Sequence, residues 1–171
     1  RPVNWQLREN CRNYDVVGKA AVRLSGLPPS TYSAFLRNGG SFKNLEYVHF
    51  SDERDQILKL KSTLQKIRTS GYRDSDITIL SFCAPERSAA RALVQEGARL
   101  LPAGSAERTV TYTSVHAFKG MENKIIVVTD LNLRYAPSSR ALFYTALTRA
   151  TESVHILCRP EDAQRLLAWN S

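Results

Sequence analysis

Short apolar runs alternate with longer amphipathic stretches along this chain. Five runs rich in β-branched or aromatic residues predict strands, at residues 45–50, 77–83, 109–113, 125–131 and 154–158. Residues 125–128 are apolar at every position, which is typical of a central strand covered on both faces.

Five helices are predicted between or beside these strands. Ile57, Leu60, Leu64 and Ile67 recur at spacings of three and four, in a helix that Ser51 caps and Gly71 ends. The other helices are predicted at residues 15–24, from Pro85 to Gly97, from Ser138 or Ser139 to Ala150, and from Pro160 to Trp169. Residues 28–44 are rich in Pro, Gly and Ser and predict a surface loop.

Alternating strands and helices predict parallel pairing and an α/β fold. We expect a three-layer domain, with a mostly parallel sheet and helices on both faces. The 171 residues, 43% of them apolar, suit one domain spanning residues 1–171. The apolar runs are far shorter than the roughly 18 residues needed to cross a bilayer, so no membrane partner is expected.

Composition adds a bias toward an anionic partner. The chain carries 24 Lys and Arg against 16 Asp and Glu, a net charge of +8, which favours a polyanion such as nucleic acid. A basic surface without such a partner is the alternative. Cys11, Cys83 and Cys158 are far apart and form no zinc-binding pattern, so we expect no metal site and buried, reduced thiols in a cytoplasmic protein. The chain begins with Arg, and we expect it to be a piece of a longer protein.

Motifs of several common enzyme classes are missing. The Gly18-Lys19 pair is the sole Gly-Lys step, but Asn13 stands where the first glycine of a phosphate-binding P-loop belongs, and Ala20 replaces the hydroxyl that binds Mg²⁺. No GxSxG, HExxH or GxGxxG motif occurs either. The chain therefore has no P-loop of its own.

Three segments resemble motifs of one family. Residues 7–13 (LRENCRN), 114–122 (SVHAFKGME) and 142–150 (LFYTALTRA) resemble motifs IV, V and VI of the second motor domain of UvrD/Rep-type superfamily 1 helicases. Order and spacing agree, and the resemblance spans nearly the whole chain. Lys119 separates the chain from the Upf1-like branch, where a glutamine normally precedes the glycine. Cys11 and Asn13 depart from the tyrosine and serine of motif IV.

This resemblance implies a RecA-like domain, a P-loop NTPase fold without its own P-loop. ATP and Mg²⁺ would be bound mainly by an N-terminal RecA-like domain that is absent from this chain. By residue match, Arg12 and Arg149 would touch the γ-phosphate as catalytic groups, because guanidinium forks onto phosphate oxygens. The alternative for each arginine is an ion pair within its own domain.

Further positions are matched in the same way. Glu122, Gly120 and Cys11 would lie at the nucleotide, and Ser114, His116 and Lys119 would face single-stranded DNA or the domain interface. The alternatives are a solvated Glu122 beside Lys124 and a His116 that is buried or pins the loop. Gly120 is interpreted as a backbone position that requires a tight turn or a close approach.

The sequence leads to one functional hypothesis and two rivals. The chain would be the second motor domain of an ATP-dependent DNA helicase or translocase, inert as an ATPase when isolated. It is compact, because residues 96–108 leave no room for the large accessory domain that many family members insert there. The first rival is a nucleic-acid or partner-binding module that kept this fold but lost the chemistry. The second is an RNA-directed helicase, against which Lys119 argues.

Overall fold

A computed structural model of the chain describes residues 8–38, 42–133 and 136–168. Its strands and α-helices follow in this order: β1 (Glu9–Tyr14), α1 (Asp15–Leu24), β2 (Ala34–Arg37), β3 (Leu45–His49), α2 (Glu53–Thr69), β4 (Ile77–Ser81), α3 (Ala89–Gln95), β5 (Leu101–Pro102), β6 (Thr111–Ser114), β7 (Asn123–Thr129), α4 (Ala136–Thr148), β8 (Ala150–Cys158) and α5 (Pro160–Ala168).

Six strands form the main sheet, in the order β3-β8-β7-β4-β6-β5, with every neighbouring pair parallel. Side chains of the central strand β7 alternate between two apolar clusters, as the strand period of two requires. Ile126 and Val128 face α1 and α4, whereas Ile125 and Val127 face α2 and α3. The predicted three-layer α/β fold is therefore confirmed.

The helix starts differ in detail from those predicted. Asp52, rather than Ser51, caps α2, because its extended backbone lets the carboxylate accept a hydrogen bond from the Asp55 amide at 2.9 Å. Pro85–Arg87 forms a 3-10 turn, and α3 begins only at Ala89, where the Ser88 hydroxyl caps it. The predicted end of the last helix at Trp169 lies outside the described residues.

A small second sheet is a feature that the sequence did not predict. Within the predicted loop, β2 pairs in parallel with β1, so the loop prediction is wrong for Ala34–Arg37. One guanidinium nitrogen of Arg37 donates to the backbone carbonyls of Arg12, at 2.8 Å, and Thr151, at 3.1 Å. These bonds tie the small sheet to β8. Residues 39–41 of the loop lie outside the described part.

The cysteines are exposed to different extents. Cys158 is buried and Cys83 half-buried, but Cys11 is exposed, so the prediction of buried thiols is wrong for Cys11. Cys11 belongs to β1 of the small second sheet, which covers it less than the main sheet and its helices cover Cys158. In the ranges given above, no helix is long and apolar enough to cross a membrane. Nor do the described His, Cys, Asp and Glu side chains form a group of three or more that could hold a metal ion.

Candidate functional site

Three distant segments meet at the amino edge of β7 and β8. Strand β1 brings Arg12, the loop before β7 brings Glu122, and the junction between α4 and β8 brings Arg149. The β7–β8 register explains the last two, because Asn123 and Ala150 are partners and the Asn123 amide donates to the Arg149 carbonyl at 3.1 Å. One residue from each of the three family-like motifs therefore lies at this edge.

Arg12 and Glu122 form an ion pair. Arg12 Nε lies 2.7 Å from Glu122 Oε2, and their side chains are 43% and 51% exposed. Lys124, the neighbour considered for Glu122 from the sequence, pairs with Asp76 instead, at 3.3 Å. An exposed ion pair contributes only about 0–1 kcal/mol, so either partner can exchange it for another ligand at small cost.

Arg149 has no carboxylate partner among the ion pairs of the described residues. Its half-buried guanidinium donates to the carbonyls of Thr145 and Met121, at 3.3 Å each. Burial and the nearby charge of Arg12 lower the pKa of Arg149, because both disfavour the cation. A bound anion would offset both the burial of the Arg149 cation and its repulsion by Arg12.

The loop from Ser114 to Glu122 joins the two edges of the sheet. It leaves the carboxyl edge at the end of β6 and reaches the amino edge at the start of β7. Buried Val115 and Phe118 anchor it, while His116 and Lys119 are exposed. Within the loop, the Ser114 hydroxyl accepts a hydrogen bond from the Ala117 amide at 3.3 Å.

Gly120 adopts the backbone conformation that the sequence predicted. Its φ is +87°, in the left-handed region that favours glycine, and it is exposed two residues before Glu122. An open groove of about 560 Å³ lies beside this turn, and Gly120, Met121 and Glu122 line it. Cys11 is exposed next to Arg12 on β1 and offers no aromatic ring to a base.

Two groups of polar residues near the sheet edges were missed by sequence reasoning. Asn10 and Asn13 are buried beside the arginines, whereas in the sequence alone Asn13 stands out only as a departure from motifs. At the opposite edge, Asp130 has φ +55° and accepts hydrogen bonds from Gln56 Nε2 and Ser81 Oγ, each at 2.8 Å. Asp130 follows a central strand directly, which was the available signal.

Comparisons with known proteins find one similar family and a similar fold. Residues 109–157 match the family model of the UvrD-like helicase C-terminal domain. The crystal structure of the C-terminal domain of a possible DNA helicase from Lactobacillus plantarum WCFS1 is similar, with a TM-score of 0.67, 14% identity and 94% of each chain covered. No curated protein matches the chain.

These findings confirm the resemblance to a UvrD-like helicase C-terminal domain and the fold that it implies. They also support a helicase motor-domain role. The assignments of individual site residues stay predictions.

Proposed function

We propose that this chain is the second motor domain of an ATP-dependent superfamily 1 DNA helicase or translocase. ATP and Mg²⁺ would be held mainly by an N-terminal RecA-like domain that carries the P-loop. Arg12 and Arg149 would bind the terminal phosphate, and Glu122 would accept a hydrogen bond from the ribose. The contacts to single-stranded DNA would come from Ser114, His116 and Lys119.

The observation that carries this proposal is that Arg149 lies beside Arg12 without an ion pair of its own among the described residues. Two guanidinium groups lie close enough to repel each other, and the one carboxylate near both, Glu122, forms its ion pair with Arg12 and only partly offsets the charge of Arg149. Such a pair is suited to a phosphate, since guanidinium stays charged and forks onto phosphate oxygens. ATP supplies the phosphoryl group, and the arginines orient it and stabilise the negative charge that grows during transfer.

Arg12 must be released from Glu122 in this scheme. Both side chains are about half exposed, so the ion pair is weak and water can replace it. Glu122 would then be free to accept a hydrogen bond from a ribose hydroxyl. The Arg12–Glu122 pair thus keeps both groups in place without holding either of them strongly.

The loop that joins the two sheet edges supports the coupling of ATP to DNA. Glu122 is at its nucleotide end and Ser114 at its DNA end. Val115 and Phe118 are buried, so the stretch between the two ends packs against the core, and a shift of Glu122 would be passed to Ser114 through this packed stretch. Closure of the two motor domains would thereby alter the DNA contacts, as expected of a domain-closure motor.

The test is DNA-stimulated ATP hydrolysis by the full-length protein that contains this chain. We expect Arg149→Ala to lower kcat at least about 100-fold while binding of a fluorescent ATP analogue is retained, because arginine fingers act mainly on the transition state. Arg68→Ala is the matched control, since Arg68 is a partly exposed arginine of α2 that pairs with Asp74. It should hydrolyse ATP like the wild type.

The other outcomes separate the alternatives. Unchanged hydrolysis in Arg149→Ala would remove the arginine from the proposed role. A full-length protein that binds single-stranded DNA but hydrolyses no ATP would favour the binding module, for which the Arg12–Glu122 pair within one domain is the supporting observation. Stimulation by RNA rather than DNA would point to the other branch of the superfamily.

A further inference from the structure

Two asparagines are buried in β1, on either side of Arg12. Asn10 is 6% exposed and Asn13 is 1% exposed. Buried amides are costly unless their hydrogen bonds are made, so their partners show what holds them there. The two side chains bond to each other, with Asn10 Nδ2 donating to Asn13 Oδ1 at 3.0 Å.

Asn13 also contacts the backbone next to Arg149, the other arginine of the proposed phosphate site. Its Nδ2 donates to the carbonyls of Thr148, at 3.3 Å, and Ala150, at 2.6 Å. These are the residues directly before and after Arg149. Thr148 is the last residue of α4 and Ala150 the first of β8, so one amide group fixes the backbone on both sides of the helix-to-strand junction.

Asn10 acts on the backbone that carries Arg12. Its Oδ1 accepts hydrogen bonds from the amides of Arg12 and Asn13, at 3.1 Å each. Together, the Asn10 and Asn13 side chains thus form hydrogen bonds to the backbone at Arg12 and on both sides of Arg149. Asn13 uses both of its amide hydrogens and its oxygen in these contacts, which no hydroxyl or carboxylate side chain could do.

We infer that Asn10 and Asn13 are positioning residues that set the distance and direction of Arg12 and Arg149 relative to each other. This inference rests on the proposed function. A γ-phosphate bound by two arginines requires both guanidinium groups in register, and an error of about 1 Å in such a position can lower a rate by about 100-fold. The buried amide pair fixes the two backbones from which these side chains extend.

A double-mutant cycle in the full-length protein tests the inference. We expect Asn13→Ala to lower kcat for DNA-stimulated ATP hydrolysis by about 10- to 100-fold, with binding of the fluorescent ATP analogue retained. In the Arg149→Ala background the same change should have little further effect, because the residue that it positions is already gone. Asn13→Asp, which keeps the size but loses both donors, should behave like Asn13→Ala.

The controls separate positioning from stability. Arg37 still ties β1 to β8 in these variants, so Asn13→Ala is expected to fold. Gln56→Ala removes another buried amide, at the opposite edge of the sheet. Gln56→Ala should lower the melting temperature about as much as Asn13→Ala does. It should change kcat less than about twofold, in the wild type and in Arg149→Ala alike.

Each result has a definite meaning. An equal loss of kcat from Asn13→Ala with and without Arg149 would overturn the inference, as would a wild-type kcat in Asn13→Ala. If Asn13→Ala does not fold, Asn10→Ala takes its place, and failure of both to fold would show a structural role alone. If Arg149→Ala itself hydrolyses ATP normally, the proposed role of Arg149 fails, and this inference fails with it for that separate reason.

Discussion

His155 and Glu46 face each other across neighbouring strands. They are register partners of β8 and β3, and His155 Nδ1 lies 3.1 Å from Glu46 Oε2, while Lys66 Nζ from α2 lies 2.6 Å from Glu46 Oε1. Burial lowers the pKa of His155, and the attraction of Glu46 only partly opposes this. Despite the burial of Glu46, its bond to Lys66 and the nearby His155 keep the pKa of that carboxyl below its usual value.

Stability should therefore fall as the pH is lowered. The unfolded chain takes up a proton on His155 near pH 6.5, but the folded chain takes it up only at lower pH, so acid favours unfolding between about pH 7 and pH 5. Glu46 extends the same trend to lower pH. We expect the melting temperature to fall across this window and His155→Gln to flatten the fall.

His49→Gln is the control for this pH dependence. His49 is exposed at the carboxyl end of β3, so His49→Gln removes a histidine from the chain without touching the contact between His155 and Glu46. An equal slope in His155→Gln and the parent, measured by thermal unfolding in matched buffers, would contradict the assignment.

Gly120 and Asn13 show which features of single residues can be predicted from the sequence and which cannot. It predicted that Gly120 lies in a tight turn, because glycine conformations are a local property. It could not predict that Asn13 is buried, because the carbonyls that satisfy its amide lie 135 and 137 positions along the chain. Local pattern identifies residue types that favour a backbone conformation, but not polar residues whose partners are distant.

Helix α1 and strand β2 pack closely at one glycine. A Cβ on Gly18 would overlap Phe35 at Cε1 and lie 2.8 Å from its Cδ1. Replacing an interior helix glycine by alanine normally stabilises by about 1 kcal/mol. Here overpacking, which costs about 1–3 kcal/mol, opposes that gain. We expect Gly18→Ala to lower the free energy of unfolding by about 1 kcal/mol, measured by urea denaturation.

A second substitution tests the cause. In a Phe35→Leu background the smaller side chain removes the overlap, so the same glycine change should become neutral or stabilising. A loss of stability equal in both backgrounds would mean that the Phe35 ring is not responsible.

The elements that the sequence predicted have a clear apolar periodicity, and those that it missed do not. Helices α1 and α2 have strong apolar periodicity, and their existence followed from it. Strands β1 and β2 are short and pair with each other outside the main sheet, and β2 lies in the segment rich in turn-forming residues. Their partly exposed side chains give no clean alternation, so pairing, not propensity, makes them strands.

In the molecule as a whole, Ser114 and Glu122, the two ends of one loop, lie at opposite edges of the main sheet. The fold was predictable because strands and helices alternate along the chain, which leaves few arrangements. The site was predictable only as separate motifs. That Arg12, Glu122 and Arg149 meet depends on β1 reaching β8, a contact made by Asn13 and Arg37 and invisible in any local pattern.

The salt dependence of DNA binding tests whether the loop from Ser114 to Glu122 contacts the nucleic acid. Lys119 is exposed on this loop, in a chain of net charge +8. Each phosphate neutralised on single-stranded DNA steepens the slope of log K against log salt by about 0.7. We expect Lys119→Ala in the full-length protein to weaken binding to a thymidine oligonucleotide and to make this slope shallower by about 0.7, measured by fluorescence anisotropy between 50 and 200 mM salt.

Lys61→Ala, at an exposed lysine of α2, is the control and should keep the parent slope. If both variants keep that slope, Lys119 does not contact a phosphate, since loss of such a contact must release fewer counterions whatever the DNA sequence.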